Sequence, residues 1–170
     1  MPDDENRNEA KEQSSNENKQ NEPQVEKDLN GRRIIRVEKD RFLDTMKDLK
    51  EKGFNHLSLV TAVDKRDFLE VVYHLHNMET NEIVEVKVTT KDSHVPSVTH
   101  LWSSANWDER EQYDLMGVVF DGHPNMKRIL LPEGWVGHPL RKDYNLDERQ
   151  YVNMDENGED YATFDPGDGW

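Results

Sequence analysis

Three runs of residues between positions 56 and 90 decide the fold: HLSLVTAV (56–63), FLEVVYHLH (68–76) and EIVEVKVTT (82–90). The first run is almost wholly apolar, and the other two alternate apolar with polar residues, which is the period of a half-buried strand. The apolar residues that share a face within a run are Leu69, Val71, Tyr73 and Leu75 in the second, and Val84, Val86 and Val88 in the third. The connections DKRD and NMETN are short and polar. The pattern therefore predicts a three-stranded antiparallel meander.

A helical pattern precedes these strands. Residues 38–53, EKDRFLDTMKDLKEKG, place Phe42, Leu43, Met46 and Leu49 on one stripe with charged residues opposite. Gly53 follows at the position where a left-handed cap ends a helix. We therefore expect an amphipathic N-terminal helix that packs on the meander.

The pattern turns helical again after Pro96. We expect a short helix over residues 97–102 and a second helix from about Asn106 to Met116, with Glu109 as the capping-box partner of Asn106. The chain from residue 118 onward holds most of the glycines and prolines. The fold class is therefore α+β: an N-terminal helix, a three-stranded antiparallel meander, further helices and a long irregular C-terminal extension.

The 170 residues divide into three parts by composition. Residues 1–30 hold nine acids, four bases and only four apolar residues, so they cannot bury enough surface to offset the entropy of ordering. We interpret this part as a disordered acidic tail. Residues 31–144 form one α+β domain, and residues 145–170 form an irregular C-terminal extension.

Charge and composition exclude several classes of protein. The net charge of −14 argues against nucleic-acid binding and against a polybasic lipid anchor, since both need positive charge. The chain has no cysteine, which excludes disulfides, thiolate nucleophiles and cysteine-ligated clusters. No stretch approaches the roughly 20 apolar residues of a spanning helix. Any work at a membrane would therefore depend on a partner.

Few residues point to catalysis or metal binding. No phosphate-binding loop, nucleophile elbow or H-E-x-x-H motif occurs. His74 and His76 share one face of a predicted strand, which is half of a metal site, but an exposed polar face is the commoner outcome. The segment WDEREQYDLMG (107–117) carries paired carboxylates that suit acid–base work. A charged helix face with local ion pairs is again commoner.

The repeated tripeptide Gly-His-Pro at residues 122–124 and 137–139 is the most unusual feature. Glycine allows a positive φ and proline keeps the preceding histidine extended, so each tripeptide predicts a stiff bend that presents an imidazole. Basic pairs follow both bends, namely Lys127 with Arg128 and Arg141 with Lys142. Aliphatic and aromatic residues lie between these bases. Positive charge, rigid bends and apolar groups together indicate a surface that a partner covers.

These residues resemble a known family. Residues 107–144, WDEREQYDLMGVVFDGHPNMKRILLPEGWVGHPLRKDY, are similar to the signature of the 30-kDa subunit of complex I (NADH-quinone oxidoreductase). The matching motifs are E-R-E-x-Y-D-L (109–115), G-H-P-x-x-x-R-I-L-L (122–131) and G-H-P-L-R-K-D-Y (137–144). Met116 departs from the pattern, because the family usually has an aromatic residue there. Related proteins occur in membrane-bound hydrogenases and in the methanogen dehydrogenase of a reduced deazaflavin.

The resemblance implies a non-redox structural subunit in the hydrophilic arm of a membrane-bound, ion-pumping oxidoreductase that delivers electrons to a quinone-like acceptor. Its partners would be the 49-kDa-type subunit, which it braces, and other arm subunits on the cytoplasmic side of the cell membrane. Flavin or deazaflavin and iron–sulfur clusters would lie on those partners, and no cofactor on this chain. The electron donor stays open between NADH, reduced deazaflavin, ferredoxin and hydrogen. The motif residues implied at the partner interface are Glu109, Arg110, Glu111, Tyr113, Asp114, His123, Lys127, Arg128, His138, Arg141, Lys142, Asp143 and Tyr144.

A second hypothesis comes from a different class. The chain would then be a free-standing acid–base enzyme that uses Glu109, Glu111, His123 or His138. The two hypotheses differ in one simple respect, because an enzyme turns over substrate as an isolated chain, whereas the subunit is not catalytic on its own.

Overall fold

The computed structural model describes residues 24–27 and 32–164. Within them it has one five-stranded sheet, two small two-stranded sheets and two α-helices. In chain order the elements are β1 (Gln24–Lys27), β2 (Arg33–Val37), α1 (Lys39–Glu51), β3 (His56–Asp64), β4 (Leu69–Asn77), β5 (Glu82–Thr90), β6 (His94–Pro96), α2 (Ala105–Met116), β7 (Val119–Asp121), β8 (Tyr151–Met154) and β9 (Asp160–Thr163).

The main sheet has the strand order β1-β2-β5-β4-β3. β4 lies antiparallel between β3 and β5, with Tyr73 opposite Val60 on one side and Val86 on the other. β2 extends the sheet parallel to β5, and β1 pairs antiparallel with β2. The α+β class predicted from the sequence is confirmed. However, the helix α1 is not the first element, because two strands precede it.

The strand β1 falls inside residues 1–30, which the composition predicts to be disordered. It pairs with β2 over four residues, with Val25 opposite Ile35. The prediction of disorder is therefore wrong for Gln24–Lys27, because backbone pairing to an existing strand needs little apolar surface of its own. The rest of that segment lies outside the described residues.

The helix α1 forms as its pattern predicts and ends as predicted. Gly53 has a φ of +91°, and its N–H donates to the carbonyl of Lys50 at 3.1 Å. The N–H of Phe54 donates to the carbonyl of Leu49, also at 3.1 Å, which completes a Schellman motif. Leu49 and Phe54 are both buried, so the cap also contributes an apolar contact.

The core lies between α1 and one face of the main sheet. Phe42, Met46 and Leu49 on α1 are buried against this face. The ring of Phe42 lies 5.0 Å from the ring of Tyr73 on β4. The sheet residues that complete the core include Ile35, Val37, Leu57, Val60, Leu69, Val71, Leu75, Val84, Val86 and Val88.

The residues between β6 and α2 differ from the prediction. Residues 97–102 form turns rather than a short helix, and Val98 and Trp102 within them are buried. The indole N–H of Trp102 donates to the carbonyl of Phe54 at 3.1 Å. The predicted capping box of Asn106 and Glu109 is also wrong, because α2 begins at Ala105 without a side-chain cap.

The helix α2 covers the edge of the main sheet at β3. The carboxylate of Asp108 accepts the backbone N–H of Val60 at 3.0 Å, and the side-chain carbonyl of Gln112 accepts that of Ala62 at 3.0 Å. These two side chains satisfy donors that an edge strand otherwise leaves open. The α2 helix ends at Gly117, as predicted, with a φ of +73°.

The C-terminal part of the chain is less irregular than expected. β8 and β9 pair antiparallel inside residues 145–170, so the predicted irregular extension is wrong for these strands. β9 also contacts the loop that precedes this extension, since the N–H of Ala162 donates to the carbonyl of Glu133 at 2.7 Å. In the part of the chain that is described, no helix is long and apolar enough to cross a membrane.

Candidate partner interface

The carboxylate of Asp114 on α2 organises the segment that follows β7. Its Oδ2 accepts the backbone N–H groups of Ile129 at 3.0 Å, Leu130 at 2.7 Å and Leu131 at 3.0 Å. Its Oδ1 accepts Nη1 of Arg128 at 2.7 Å. Asp114 is fully buried. The loop therefore curls around one buried carboxylate, in the way that a backbone nest holds an anion.

Two arginines fix the backbone around this carboxylate. Nη2 of Arg128 donates to the carbonyls of Trp135 at 3.2 Å and Gly137 at 3.1 Å. Nε of Arg110 donates to the carbonyl of Lys127 at 2.9 Å, and its Nη2 to the carbonyl of Arg128 at 3.2 Å. Both guanidinium groups thus bind main-chain oxygens, which fixes the path of the loop independently of most of its side chains.

His138 joins the second Gly-His-Pro bend to the end of α2. Its Nδ1 lies 3.0 Å from the carbonyl oxygen of Asp114, to which it donates. The ring also lies against Gly117, where an added Cβ would come within 2.6 Å of the imidazole Cδ2. Gly117 is therefore required twice, once for its positive φ and once for the approach of His138.

A second carboxylate, Asp64 at the end of β3, holds the chain further along. Its Oδ2 accepts the N–H of Lys142 at 3.0 Å and lies 3.2 Å from Nε of Arg141. Its Oδ1 accepts the N–H of Arg66 at 2.7 Å. The hydrogen bond from Lys142 is the main reason why the pKa of Asp64 lies below its ordinary value.

The pKa of Asp114 results from opposing effects. Burial raises the pKa, but the N–H groups of Leu131, Leu130 and Ile129 and the guanidinium of Arg128 lower it by more. The net result is a pKa below the ordinary value. Asp114 therefore carries its negative charge inside the fold, where it binds the loop.

The pKa of Glu109, five residues earlier on α2, is shifted in the opposite direction. Its Oε1 accepts the N–H of Val98 at 2.8 Å, and its Oε2 lies 2.7 Å from Oγ of Ser97. No basic side chain among the described residues forms an ion pair with it. Burial raises the pKa of this carboxyl to about 7. Glu109 thus links α2 to the turn at residues 97–99 and is about half protonated near pH 7.

We call residues 126–164 the strap, since Asp114 and Asp64 hold this segment to the domain. Large apolar side chains are exposed along it, with Leu146 at 80% the most exposed. Eight of the fourteen exposed large apolar residues in the described part of the chain lie here: Leu130, Val136, Leu140, Leu146, Val152, Met154, Tyr161 and Phe164. A cleft of about 480 Å³ lies beside them, lined by His138, Arg141, Tyr144 and Gln150 among others.

The motif residues predicted at the partner interface divide into three groups. Glu109 and Asp114 are buried inside this chain, which corrects the prediction for both, since neither can contact a partner in this arrangement. Lys127, Lys142 and Asp143 are exposed. Most of the remaining residues form a hydrogen bond, an ion pair or a ring contact within this chain. All eight of them are half-buried: Arg110, Glu111, Tyr113, His123, Arg128, His138, Arg141 and Tyr144.

The basic strip predicted from the two basic pairs is therefore only partly available. Arg128 pairs with Asp114 and Arg141 with Asp64, whereas the ammonium groups of Lys127 and Lys142 form no ion pair with described residues. The first Gly-His-Pro bend is likewise turned inward. Nδ1 of His123 accepts an N–H from Asn125 at 3.0 Å, so Nε2 donates to the carbonyl of Asn106 at 3.3 Å.

The residues proposed for acid–base chemistry are not assembled into one site. Glu109 has no accessible surface, and burial lowers the pKa of His123, whose imidazole is bound to backbone. His138 lines the cleft of about 480 Å³, and neither Glu109 nor Glu111 is among its lining residues.

The two histidines on β4 have separate neighbours. Nε2 of His74 lies 3.8 Å from Glu85, and Nε2 of His76 lies 3.0 Å from Oδ1 of Asn81. Among the described residues, no three metal-ligating side chains cluster together.

Sequence reasoning missed several residues that build this region. Asp64 resembles an ordinary turn residue at the end of a strand, and the partner that it binds lies 78 positions away at Lys142. Gln112 and Ser97 carry no sequence signal for their bonds to Ala62 and Glu109. For these residues only the three-dimensional fold shows the role.

Comparison with known proteins gives consistent results. Residues 35–150 match the family described as the 30-kDa subunit of respiratory-chain NADH dehydrogenase. A protein of Moorella thermoacetica that is named as a subunit of NADH-quinone oxidoreductase is 51% identical over 115 residues, which cover 65% of this chain and 78% of that protein. The resemblance seen in the sequence motifs is thereby confirmed.

Two solved structures share the fold. A trypsin-resistant fragment of Nqo5 is 30% identical with a TM-score of 0.58, over 67% of this chain and 97% of the fragment. A chain of the membrane-bound sulfane sulfur reductase, an archaeal respiratory membrane complex, is 30% identical with a TM-score of 0.63. That match covers 74% of this chain and 77% of the other.

Proposed function

The chain belongs to the 30-kDa subunit family of respiratory-chain NADH dehydrogenase, and from this premise we propose that it is a non-redox structural subunit. In this proposal it lies in the hydrophilic arm of a membrane-bound, ion-pumping oxidoreductase that passes electrons to a quinone-like acceptor. Its task is to brace the 49-kDa-type subunit. It is peripheral, on the cytoplasmic side of the membrane, and is held there by its partners.

The single observation that carries this proposal is the set of eight exposed large apolar side chains on the strap, which we call the exposed apolar line. Monomeric proteins rarely leave so many large apolar side chains in water along one segment, whereas protein interfaces use them. The strap is also held in place before any partner arrives, by Asp114 and Asp64. Such preorganisation lowers the entropy cost of association. A fixed strap with free apolar side chains fits a bracing role.

We further propose that the redox groups of the complex lie on other subunits. Flavin or deazaflavin and iron–sulfur clusters are the expected groups. The absence of cysteine from the sequence supports this assignment, since clusters are held mainly by thiolates. The contribution of this chain to electron transfer would then be to hold the redox subunits in position.

The test is gentle affinity purification of the full chain from its native membrane. We expect a 49-kDa-type subunit to co-elute in a fixed ratio, together with iron and flavin or deazaflavin that the isolated chain lacks. Co-elution of an NADH-binding flavoprotein, a deazaflavin oxidase or a nickel hydrogenase subunit would also identify the electron donor. A chain that elutes alone and turns over a substrate would contradict the proposal and favour the acid–base enzyme.

A further inference from the structure

Trp107 on α2 is the most exposed large aromatic residue among the described residues. Its side chain is 61% exposed, whereas Trp102, five residues earlier, is 3% exposed. The guanidinium carbon of Arg110 lies 5.2 Å from the indole ring centre, in a cation–π arrangement. The indole is therefore held on the surface by its helix and its neighbour, without being part of the core.

Among the described residues, Arg110 beside this indole and Lys127, whose carbonyl Arg110 binds, lack carboxylate partners. Arg110 directs its hydrogen bonds at the carbonyls of Lys127 and Arg128, and no carboxylate of the described residues forms an ion pair with it. Lys127 is exposed and likewise forms no ion pair within the described part of the chain. The nearby carboxylate of Asp108 is committed to the N–H of Val60 on β3. The positive charges of Arg110 and Lys127 are thus not neutralised by an ion pair within the described part of the chain.

Tryptophan and arginine are the residues that most often dominate the affinity of protein interfaces. Here Arg110 is fixed in advance by two backbone carbonyls and contacts the indole of Trp107 through its guanidinium, so less rotamer entropy is lost on binding. An acidic partner would also complement Arg110 and Lys127 electrostatically. These three side chains therefore suit a partner that offers carboxylates around an apolar pocket of its own.

We propose that Trp107, Arg110 and Lys127 anchor a second docking surface, which receives an acidic face of a neighbouring protein in the complex. The indole enters an apolar pocket of that neighbour, and the two cations meet carboxylates at its rim. This inference rests on the proposed function, since it needs the chain to be part of an assembly. It differs in chemistry from the exposed apolar side chains of the strap, because its anchor is one aromatic ring with two cations, Arg110 on α2 and Lys127 at the start of the strap.

Oxidation of Trp107 by hydroxyl radicals, followed by mass spectrometry, measures its coverage directly. We expect the indole to react at least fivefold more slowly in the purified complex than in the isolated full-length chain. Equal rates would overturn the inference. The acidic residues 1–23 are the competing occupant. If deletion of these residues makes the indole of the isolated chain react several times faster, the chain's own tail covers the site and the inference fails.

Variants test the same surface by assembly. Trp107→Ala and Lys127→Glu are expected to lower the fraction of chain found in the complex by about tenfold or more, with unchanged melting of the isolated chain. Val25→Ala and Lys91→Glu are matched controls at exposed positions on β1 and after β5, and both should assemble normally. Full assembly of Trp107→Ala would overturn this inference. The proposed function would survive that result, because it depends on co-elution of the wild-type chain.

Discussion

The α+β domain, residues 32–121, and the strap, residues 126–164, are held by different forces. The domain has a continuous apolar core in which Phe42, Tyr73 and Val86 have almost no exposed surface. The strap is docked mainly by polar bonds, from backbone N–H groups to the carboxylates of Asp114 and Asp64. Only Met126 of the strap packs against the core.

This difference explains how the strap keeps its apolar side chains free. A segment that docks through apolar side chains buries them, and they are then lost to a partner. A segment that docks through its own N–H groups leaves its side chains available. Hydrogen bonds to a charged group are worth about 1.5–3 kcal/mol each, so a few of them hold the strap without a core.

The first prediction concerns the domain and has the largest expected effect. Phe42→Ala should lower the free energy of unfolding of the whole domain by about 3–5 kcal/mol, because it leaves a cavity beside Tyr73. The measurement is urea unfolding followed by far-UV circular dichroism. Leu146→Ala on the strap is the control and should change that free energy by less than about 0.5 kcal/mol. Equal losses would show that the strap is part of the same cooperative core.

The second prediction concerns Glu109, whose pKa burial raises to about 7 from an ordinary value of 4.5. The folded chain keeps a proton that the unfolded chain releases between these values, so stability falls as the pH rises through this window. Glu109→Gln keeps a neutral group there and should remove up to about 3 kcal/mol of that loss.

The measurement for Glu109 is the unfolding free energy at about pH 5 and pH 8. Glu111→Gln makes the same chemical change on the accessible side of the same helix, and it should leave the difference between the two pH values as in the wild type. If the unfolding free energy of Glu109→Gln falls between pH 5 and pH 8 by as much as that of the wild type, the carboxyl of Glu109 is ionised in the folded chain over this range.

The third prediction concerns the strap. Asp114→Ala leaves Arg128 and three backbone N–H groups without their acceptor, at a cost of about 1–3 kcal/mol. The strap can escape this cost by detaching into water, so we expect local opening rather than loss of the whole fold. Hydrogen exchange at residues 129–131 should become faster, while the amides of β4 and β5 stay protected. The control is Asp143→Ala, which removes an exposed carboxylate of the strap. If exchange at residues 129–131 stays slow in Asp114→Ala, Asp114 does not hold the strap to the domain.

The domain was the predictable part of the molecule. The sequence predicts strands at 56–63, 68–76 and 82–90, and the structure has His56–Asp64, Leu69–Asn77 and Glu82–Thr90. These runs are long and keep a period of two, so the signal is local. β2 was missed because its five residues, RIIRV, are too short to show a period. Its pairing with β5 depends on residues about 50 positions away.

The sequence of the strap predicts the protein family but not the arrangement of its side chains. Its motifs are specific enough to indicate the family, yet they do not show which residues turn inward. Asp114 and Arg128 look like surface charges, and only the fold brings them to 2.7 Å of each other in a buried site. Asp64 gave no signal at all. A charge that binds backbone across a long separation has no sequence period, so it cannot be read from spacing.

The last prediction has the smallest effect on stability and the sharpest functional consequence. Leu140→Ser combined with Leu146→Ser should change the unfolding free energy of the isolated chain by less than about 0.5 kcal/mol, since both side chains are mostly in water already. The same variant should lower the fraction of chain that co-purifies with the 49-kDa-type subunit that we propose as its partner. Met78→Ser combined with Val25→Ser removes two similarly exposed side chains outside the strap and is the matched control. If both double variants assemble equally, the exposed apolar line of the strap has no part in the interface. If only the strap variant fails to assemble while its melting is unchanged, the exposed apolar side chains of the strap stabilise the complex, whereas the buried apolar side chains of the domain stabilise the fold.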